Sequence, residues 1–148
     1  VIHPQSIIHS MVEFVDGSVK AQLSQPDMRL PIQYALMYPE RVANSNVAKF
    51  SPTITRSLTF EPMDAKRYPC FNLAIDVAKK GGTWPAVLCG ADEMAVELFL
   101  KGKIGFSDIT DVISSVLDDH MPLTVPSLEE VIAAASWAKD RVYKMVEG

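Results

Sequence analysis

The hydrophobic pattern of this 148-residue chain changes near residue 63, and the change divides the chain into two differently folding parts. Beyond this point, apolar residues recur at roughly every third or fourth position in four successive segments, as in amphipathic helices. The predicted helices begin at Pro69, at about Trp84, after Ser107 and after Ser127. Because the connections between them are short, we predict a compact four-helix bundle over residues 64–148.

Each predicted helix carries a capping or stop signal and one apolar stripe. Ser107 is the expected cap of the third helix, and Ser127 and Glu130 have the spacing of a capping box at the fourth. Gly81-Gly82 and Gly102 follow the ends of the first two helices. The stripes expected to form the core are Cys70, Leu73, Ala74, Val77 and Ala78; Val87, Ala91, Met94 and Leu98; Ile109, Val112, Ile113, Val116 and Leu117; and Val131, Ala134, Ala135, Ala138, Val142 and Met145.

The first part of the chain has β-strand patterns instead. Residues 6–14 and 19–23 are rich in β-formers and flank Asp16-Gly17, a dipeptide typical of a two-residue type I′ turn. Asp27 can cap a following helix, which must end before Pro39. We therefore predict a β-hairpin followed by a helix, and neither face of the hairpin is purely apolar, so we expect both faces to contact protein.

Residues 42–63 have no sustained period and are rich in asparagine, serine and proline, which indicates an extended linker. Ser57–Phe60 could form a short strand, which Pro62 would confine to a sheet edge. The predicted fold class is α+β: a hairpin and helix, a linker, and a four-helix bundle.

Composition narrows the possible functions. The net charge of −4 is spread along the chain without a lysine or arginine run, which argues against nucleic-acid binding. No apolar stretch approaches the roughly 20 residues of a membrane-spanning helix, so we expect no membrane partner. The chain opens on Val1-Ile2 inside a β-rich stretch, and we expect it to come from the middle of a longer protein.

Motifs for metal, nucleotide or thiol chemistry are missing. The sequence has no HExxH, DxD, GxGxxG or GxxxxGK[ST] pattern, and His3 and His9 would lie about 20 Å apart on a straight strand. Cys70 and Cys89 lie in predicted helices without ligand spacing, so we expect two buried free thiols. The acidic pairs Asp92-Glu93 and Asp118-Asp119 are expected on solvated faces.

One polar cluster remains, around the hairpin and the start of the first helix, and its members are Ser6, His9, Ser10, Met28 and Arg29. These side chains could belong to a sheet edge whose polar groups pair with neighbouring strands, which is the reading that spacing alone favours. They could instead line a pocket beside the amino terminus of the helix. Spacing does not decide between the two.

Several motifs resemble one enzyme family. HPQSIIHSMVEF, DGSVKAQLSQPDMRLPIQYAL, SLTFEP and RYPCFNLA are similar to the carboxy-terminal part of the 1-deoxy-D-xylulose 5-phosphate reductoisomerase family, and the resemblance covers essentially the whole chain. It implies that residues 1–41 are the end of an α/β catalytic domain. Residues 42–63 would be the connector and residues 64–148 the carboxy-terminal helical domain.

The resemblance also implies an activity. Enzymes of this family convert 1-deoxy-D-xylulose 5-phosphate to 2-C-methyl-D-erythritol 4-phosphate with NADPH and Mg²⁺ or Mn²⁺, in non-mevalonate isoprenoid biosynthesis. They are typically homodimers of the bacterial cytoplasm or of a plastid-type organelle. The metal ligands and the NADPH-binding domain would lie upstream of Val1, so the chain would hold no catalytic or metal-binding residue and be inactive by itself.

Four residues of this chain match family positions at the substrate and nicotinamide pocket. Ser6, Pro26 and Met28 would line it, and His9 would orient its polar groups. The helical part departs from the family where Leu88-Cys89-Gly90-Ala91-Asp92-Glu93 replaces a Leu-Asn-Ala-Ala-Asn-Glu pattern, and the mid-helix glycine costs roughly 1 kcal/mol of helix propensity. The alternative to an enzyme part is a free-standing interaction module, in which the bundle binds a partner and the hairpin is an assembly edge.

Overall fold

The computed structural model describes residues 1–148, which divide into two compact units, Val1–Met63 and Asp64–Gly148. We call them unit 1 and unit 2. Unit 1 contains a two-stranded antiparallel sheet and one helix, and unit 2 contains four helices. The predicted α+β class is therefore confirmed. None of the helices combines the length and the apolar character needed to cross a membrane.

The sheet of unit 1 pairs β1 (Ile8–Glu13) with β2 (Val19–Leu23), and the register runs from Ile8 opposite Leu23 to Glu13 opposite Val19. An irregularity between Ile8 and Ser10 shifts the register by one residue. Nearly every residue of both strands is exposed within this chain. The first strand is shorter than the predicted residues 6–14, because Ser6, Ile7 and Phe14 lie outside it, whereas β2 has the predicted bounds.

The predicted type I′ turn is wrong. Its central residues would both need a positive φ, but only Gly17 has one, at +83°. The Gly17 amide donates to the Phe14 carbonyl, and the Phe14 amide donates to the Ser18 carbonyl, which closes a three-residue loop. The Asp16 carboxylate accepts hydrogen bonds from the amide and hydroxyl of Ser18, at 2.9 and 2.6 Å, and these bonds hold the carboxylate pKa below its usual value.

Helix α1 (Arg29–Met37) follows the hairpin as predicted and ends before Pro39. Asp27 accepts a hydrogen bond from the Arg29 amide at 3.0 Å, so its carboxylate satisfies one free donor of the first turn.

The expected strand over Ser57–Phe60 does not form, and only an isolated bridge joins Ile2 to Glu61. The physical reason is that the backbone groups of Thr59 already have partners. Its amide donates to the Gln5 side chain and its carbonyl bonds to the His3 ring, so neither group pairs with a strand.

Unit 2 is built from α2 (Pro69–Lys80), α3 (Trp84–Leu100), α4 (Asp108–Asp118) and α5 (Leu128–Glu147). The four predicted helices are confirmed. The core residues, each less than a tenth exposed, are Val77, Val87, Ala91, Ala95, Leu98, Ile109, Ile113, Val116, Leu117, Ala138 and Val142. Most lie on the predicted stripes. Ala95 is the one core residue outside these stripes. Four stripe residues are exposed instead, namely Cys70, Ala74, Ala78 and Met145, and Val146 packs against the core in place of Met145.

The predicted cap of α5 is confirmed, and the predicted cap of α4 is wrong. Ser127 and Glu130 form both bonds of a capping box at the start of α5. Ser107 makes no side-chain cap bond at the start of α4. There the Asp108 carboxylate accepts from the Gly105 amide at 2.8 Å. The residue after the expected cap therefore provides the hydrogen bond to the loop that leads into the helix.

The two cysteines lie in helices as predicted, but both are exposed rather than buried. Cys70 stands in the first turn of α2, where its Sγ lies 3.0 Å from the Thr110 hydroxyl. Cys89 precedes Gly90 on α3, and since Gly90 faces α5, its neighbour faces solvent. Asp92, Glu93, Asp118 and Asp119 are exposed as expected, with Asp119 paired to Arg141 at 2.6 Å and Glu93 paired to Lys139.

A buried polar contact joins the turn before α3 to the connection between α4 and α5. The Thr83 side chain is 1% exposed. Its hydroxyl oxygen accepts from the Leu123 amide at 3.0 Å and lies 2.8 Å from Nε2 of His120. The imidazole also packs edge-on to Trp84 and tilted to Trp137, with ring centroids 5.1 and 5.7 Å away. A neutral imidazole satisfies all these groups, because the hydroxyl can donate its single hydrogen to Nε2.

This contact gives unit 2 a predicted pH dependence. Burial lowers the pKa of His120, so the unfolded chain takes up this proton at a higher pH than the folded chain. The stability of unit 2 should therefore be complete above about pH 6.5 and fall as the pH drops below it. The His120→Gln variant should lose this part of the pH dependence. Urea midpoints at several pH values test this, and an unchanged slope in the variant would contradict it.

Candidate functional site

A cavity of about 560 Å³ lies in unit 1, where the strand ends meet the start of α1. The loop before β1, the outer ends of both strands and the first turns of α1 form its walls. Its lining residues are Ser6, His9, Gln22, Ser24, Pro26, Asp27, Met28, Leu30, Pro31, Tyr34 and Arg41. Most of the lining surface is apolar, with a few polar groups at the strand ends, which is the usual composition of a small-molecule site.

The four site residues predicted from the sequence, Ser6, His9, Pro26 and Met28, all line this one cavity. Of the wider polar cluster, Ser10 and Arg29 do not line it. Ser10 is adjacent to His9 on β1, so its side chain points to the opposite face of the strand. The structure therefore brings Ser6, His9 and Met28 of this cluster to one cavity and leaves Ser10 and Arg29 outside it.

Arg29 supports the site from outside the cavity. Its guanidinium donates to both carboxylate oxygens of Asp27, with the closest approach 2.6 Å from Nη2, and its amide donates to the same carboxylate. The Arg29 side chain keeps the pKa of the Asp27 carboxyl below its usual value, and Asp27 raises the pKa of Arg29. Because these bonds join the residue before Met28 to the residue after it, they fix the backbone from which the Met28 side chain extends.

Met28 is 71% exposed in this chain, although the residues around it are held in place. An exposed methionine beside Pro26 and Leu30 presents flexible apolar surface, which suits contact with a flat ring or a second protein segment. The thioether has no titratable group, so it can bind and exclude water but cannot move a proton.

The far wall of the cavity contains residues that sequence reasoning missed. The Arg41 guanidinium stacks over the Tyr34 ring, 3.9 Å from its centroid. Hydrogen bonds from Gln33 to the Val42 carbonyl at 2.6 Å, and from Asn44 to Gln33 at 2.7 Å, hold the segment after α1 against the helix. A signal was available for Tyr34, because it lies one helical turn after Leu30. Arg41 had no such signal.

No group of three or more His, Cys, Asp and Glu side chains in residues 1–148 is arranged to hold a metal ion. His9 is exposed and forms no hydrogen bond to another side chain of the chain. The cavity therefore has the means to bind and orient a ligand. Metal binding at this place would require ligands beyond those in this chain.

Comparison with known families places this site in context. Residues 23–141 match the model of the DXP reductoisomerase C-terminal domain. A 1-deoxy-D-xylulose 5-phosphate reductoisomerase from Pelotomaculum thermopropionicum is 52% identical over 146 residues, and one from Thermomicrobium roseum is 49% identical over 151 residues. Each match covers 99% of this chain but 38% of the relative, so the chain spans well under half the length of these relatives.

Solved structures give the same result. The chain superposes on the 1-deoxy-D-xylulose 5-phosphate reductoisomerase from Zymomonas mobilis in complex with NADPH with a TM-score of 0.87 and 42% identity, covering 99% of this chain and 38% of that one. A DOX-P reductoisomerase in complex with NADPH, fosmidomycin and magnesium gives a TM-score of 0.85 and 35% identity, covering 98% of this chain and 38% of that one.

Proposed function

The chain belongs to the DXP reductoisomerase family, and we propose that it is the carboxy-terminal portion of an NADPH-dependent reductoisomerase. That enzyme would convert 1-deoxy-D-xylulose 5-phosphate to 2-C-methyl-D-erythritol 4-phosphate in isoprenoid biosynthesis. The observation that carries the proposal is the cavity of unit 1, where Ser6, His9, Pro26 and Met28 meet. On this proposal residues 1–41 are the end of the catalytic domain and residues 64–148 form the helical domain. Residues 42–63 are the connector between them.

The residues around the cavity would form one wall of the active site and not the whole site. Pro26, Met28 and Leu30 supply apolar surface against which a nicotinamide ring can lie, and they exclude water from it. Ser6 and His9 supply polar groups that can orient the substrate. The bound NADPH would supply the hydride for the reduction, and the residues of this chain would hold the reacting groups in place.

The metal would be held elsewhere in the enzyme. The residues of this chain do not fit a Mg²⁺ or Mn²⁺ site by themselves, since they form no group of three ligands. We assign no step through a metal to them. On the proposed function, the carboxylate ligands and most of the NADPH site belong to the part of the enzyme outside this chain, so the isolated chain should not turn over substrate.

We also propose that the enzyme is a homodimer located in the cytoplasm or in a plastid-type organelle. The hairpin supports an interface, because Met11, Val12 and Val19 are each between 43% and 57% exposed on strands that have an unpaired edge. Phe14, in the loop next to β1, is 50% exposed. The same exposure would serve the alternative, a free-standing interaction module. The cavity favours the enzyme, since an interaction module has no need of a concave polar and apolar site in unit 1.

A hybrid enzyme tests the proposed function. In this hybrid, the present chain replaces the matching residues of the Pelotomaculum thermopropionicum relative. We expect NADPH oxidation that depends on 1-deoxy-D-xylulose 5-phosphate and on Mg²⁺ or Mn²⁺, with none from the isolated chain. The unmodified relative is the control. A hybrid that folds and melts like the relative but fails to oxidise NADPH would overturn the proposal.

A further inference from the structure

Ser6 is the one residue other than glycine that has a positive φ, at +51°. This left-handed conformation is unfavourable for an L-residue, because Cβ approaches the backbone carbonyl. Such conformations persist where the surroundings enforce them, and they concentrate at functional sites. Ser6 also lines the cavity of unit 1, and its hydroxyl makes no hydrogen bond within the chain.

His3 provides the first restraint on Ser6. Its carbonyl accepts from the Ser6 amide at 3.1 Å, and its Nε2 accepts from the Ile7 amide at 3.2 Å. Because Nε2 is an acceptor, the ring hydrogen of the neutral imidazole is on Nδ1, which donates it to the Thr59 carbonyl at 2.9 Å. The ring also stacks on Phe60 with centroids 5.0 Å apart. His3 thus bonds to the backbone on both sides of the Ser6 α-carbon and to a segment distant in sequence.

Gln5 provides the second restraint. Its side-chain amide donates to the Thr59 hydroxyl at 2.7 Å, and its carbonyl oxygen accepts from the Thr59 amide at 3.2 Å. The two backbone bonds between Ile2 and Glu61, at 2.8 and 2.9 Å, hold the same two segments together. Residues 59–61 therefore contact the chain on the amino-terminal side of Ser6 but do not line the cavity themselves.

We propose that Thr59, acting through Gln5 and His3, is a positioning residue that holds Ser6 in its left-handed conformation at the cavity wall. The inference rests on the proposed function, since it gives the Ser6 hydroxyl a ligand to contact. Without these bonds the Ser6 backbone would relax to a negative φ, and the hydroxyl would leave its place in the wall. Residues far from the cavity in sequence would thus determine the geometry of one of its polar groups.

Variants of the hybrid enzyme test the chain of contacts. Thr59→Val removes the hydroxyl that bonds Gln5, and we expect kcat/KM to fall by about tenfold, with the loss mainly in kcat because orientation is affected. Thr59→Ser restores the hydroxyl and should restore the rate. Thr55→Val is the matched control, since the Thr55 side chain has no hydrogen bond. Equal rates for Thr59→Val and Thr55→Val would overturn the inference.

Two further variants separate the effect of the Ser6 backbone conformation from the effect of its hydroxyl. Ser6→Gly relieves the strain but deletes the hydroxyl, so the melting temperature should hold or rise while kcat/KM falls by about tenfold or more. Full activity of Ser6→Gly would overturn the inference. In the isolated chain, backbone scalar couplings should report a positive φ at Ser6 and a negative φ in the Gln5→Leu variant. An unchanged coupling in that variant would also overturn it. Turnover by the unmodified hybrid tests the proposed function separately.

Discussion

Replacing Gly90 with leucine is expected to lower the stability of unit 2 by about 3 kcal/mol or more, a large loss for a single change. Gly90 is buried on α3 where the helix crosses α5. A Cβ at this position would overlap the carbonyl oxygen of Ala135 and lie 3.0 Å from its carbonyl carbon and 3.1 Å from its Cα. All three atoms belong to the backbone, so relief requires the whole helix to move.

The neighbouring residue supplies a matched control. Cys89 lies on the same helix but is exposed, so Cys89→Leu should change the stability by no more than about 0.5 kcal/mol. Gly90→Ala should fall between the two, because it gains about 1 kcal/mol of helix propensity while meeting the same backbone. Denaturant unfolding of the isolated chain measures all three variants. A Gly90→Leu variant as stable as the Cys89→Leu variant would show that the helices are not packed as described.

Gly90 also shows where sequence reasoning is incomplete. From the sequence, a glycine in the middle of a helix counts only as a loss of helix propensity. The structure adds the close approach of α3 to α5, which offsets that loss and depends on a partner helix 45 residues later in the chain. Cys89 has the same explanation, since its exposure follows from which side of α3 faces α5.

The parts of the fold that sequence predicted were those set by local rules. The period of apolar residues gave the four helices of unit 2, and the spacing of Ser127 and Glu130 gave a cap that forms as expected. The turn type predicted for Asp16-Gly17 was wrong, because the same dipeptide also fits a three-residue loop. The absence of a strand at Ser57–Phe60 depended on contacts with His3 and Gln5, which no local pattern contains.

The candidate site divides in the same way. The motif resemblance identified Ser6, His9, Pro26 and Met28, and the structure places all four around one cavity. Their roles toward a ligand stay predictions. The φ of Ser6 and the contact with Thr59 could not be read from the sequence, because each depends on residues more than 50 positions apart.

Introducing a carboxylate at Met28 is the second large effect that we expect. In the hybrid enzyme, Met28→Asp should lower kcat/KM by roughly a hundredfold, which corresponds to about 3 kcal/mol. On the proposed function the Met28 side chain is covered by the nicotinamide ring when NADPH binds. A carboxylate there would lose its water without gaining a partner, and it would stand beside the carboxylate of Asp27.

Met121 is the matched control, because it is a methionine of unit 2 that is 88% exposed. The measurement that tests the central claim most directly is kcat/KM for NADPH oxidation by the unmodified hybrid, by Met28→Asp and by Met121→Asp. If unit 1 forms a wall of the active site, Met28→Asp should lose roughly a hundredfold and Met121→Asp should match the unmodified hybrid. Equal activity of the two variants would contradict that claim.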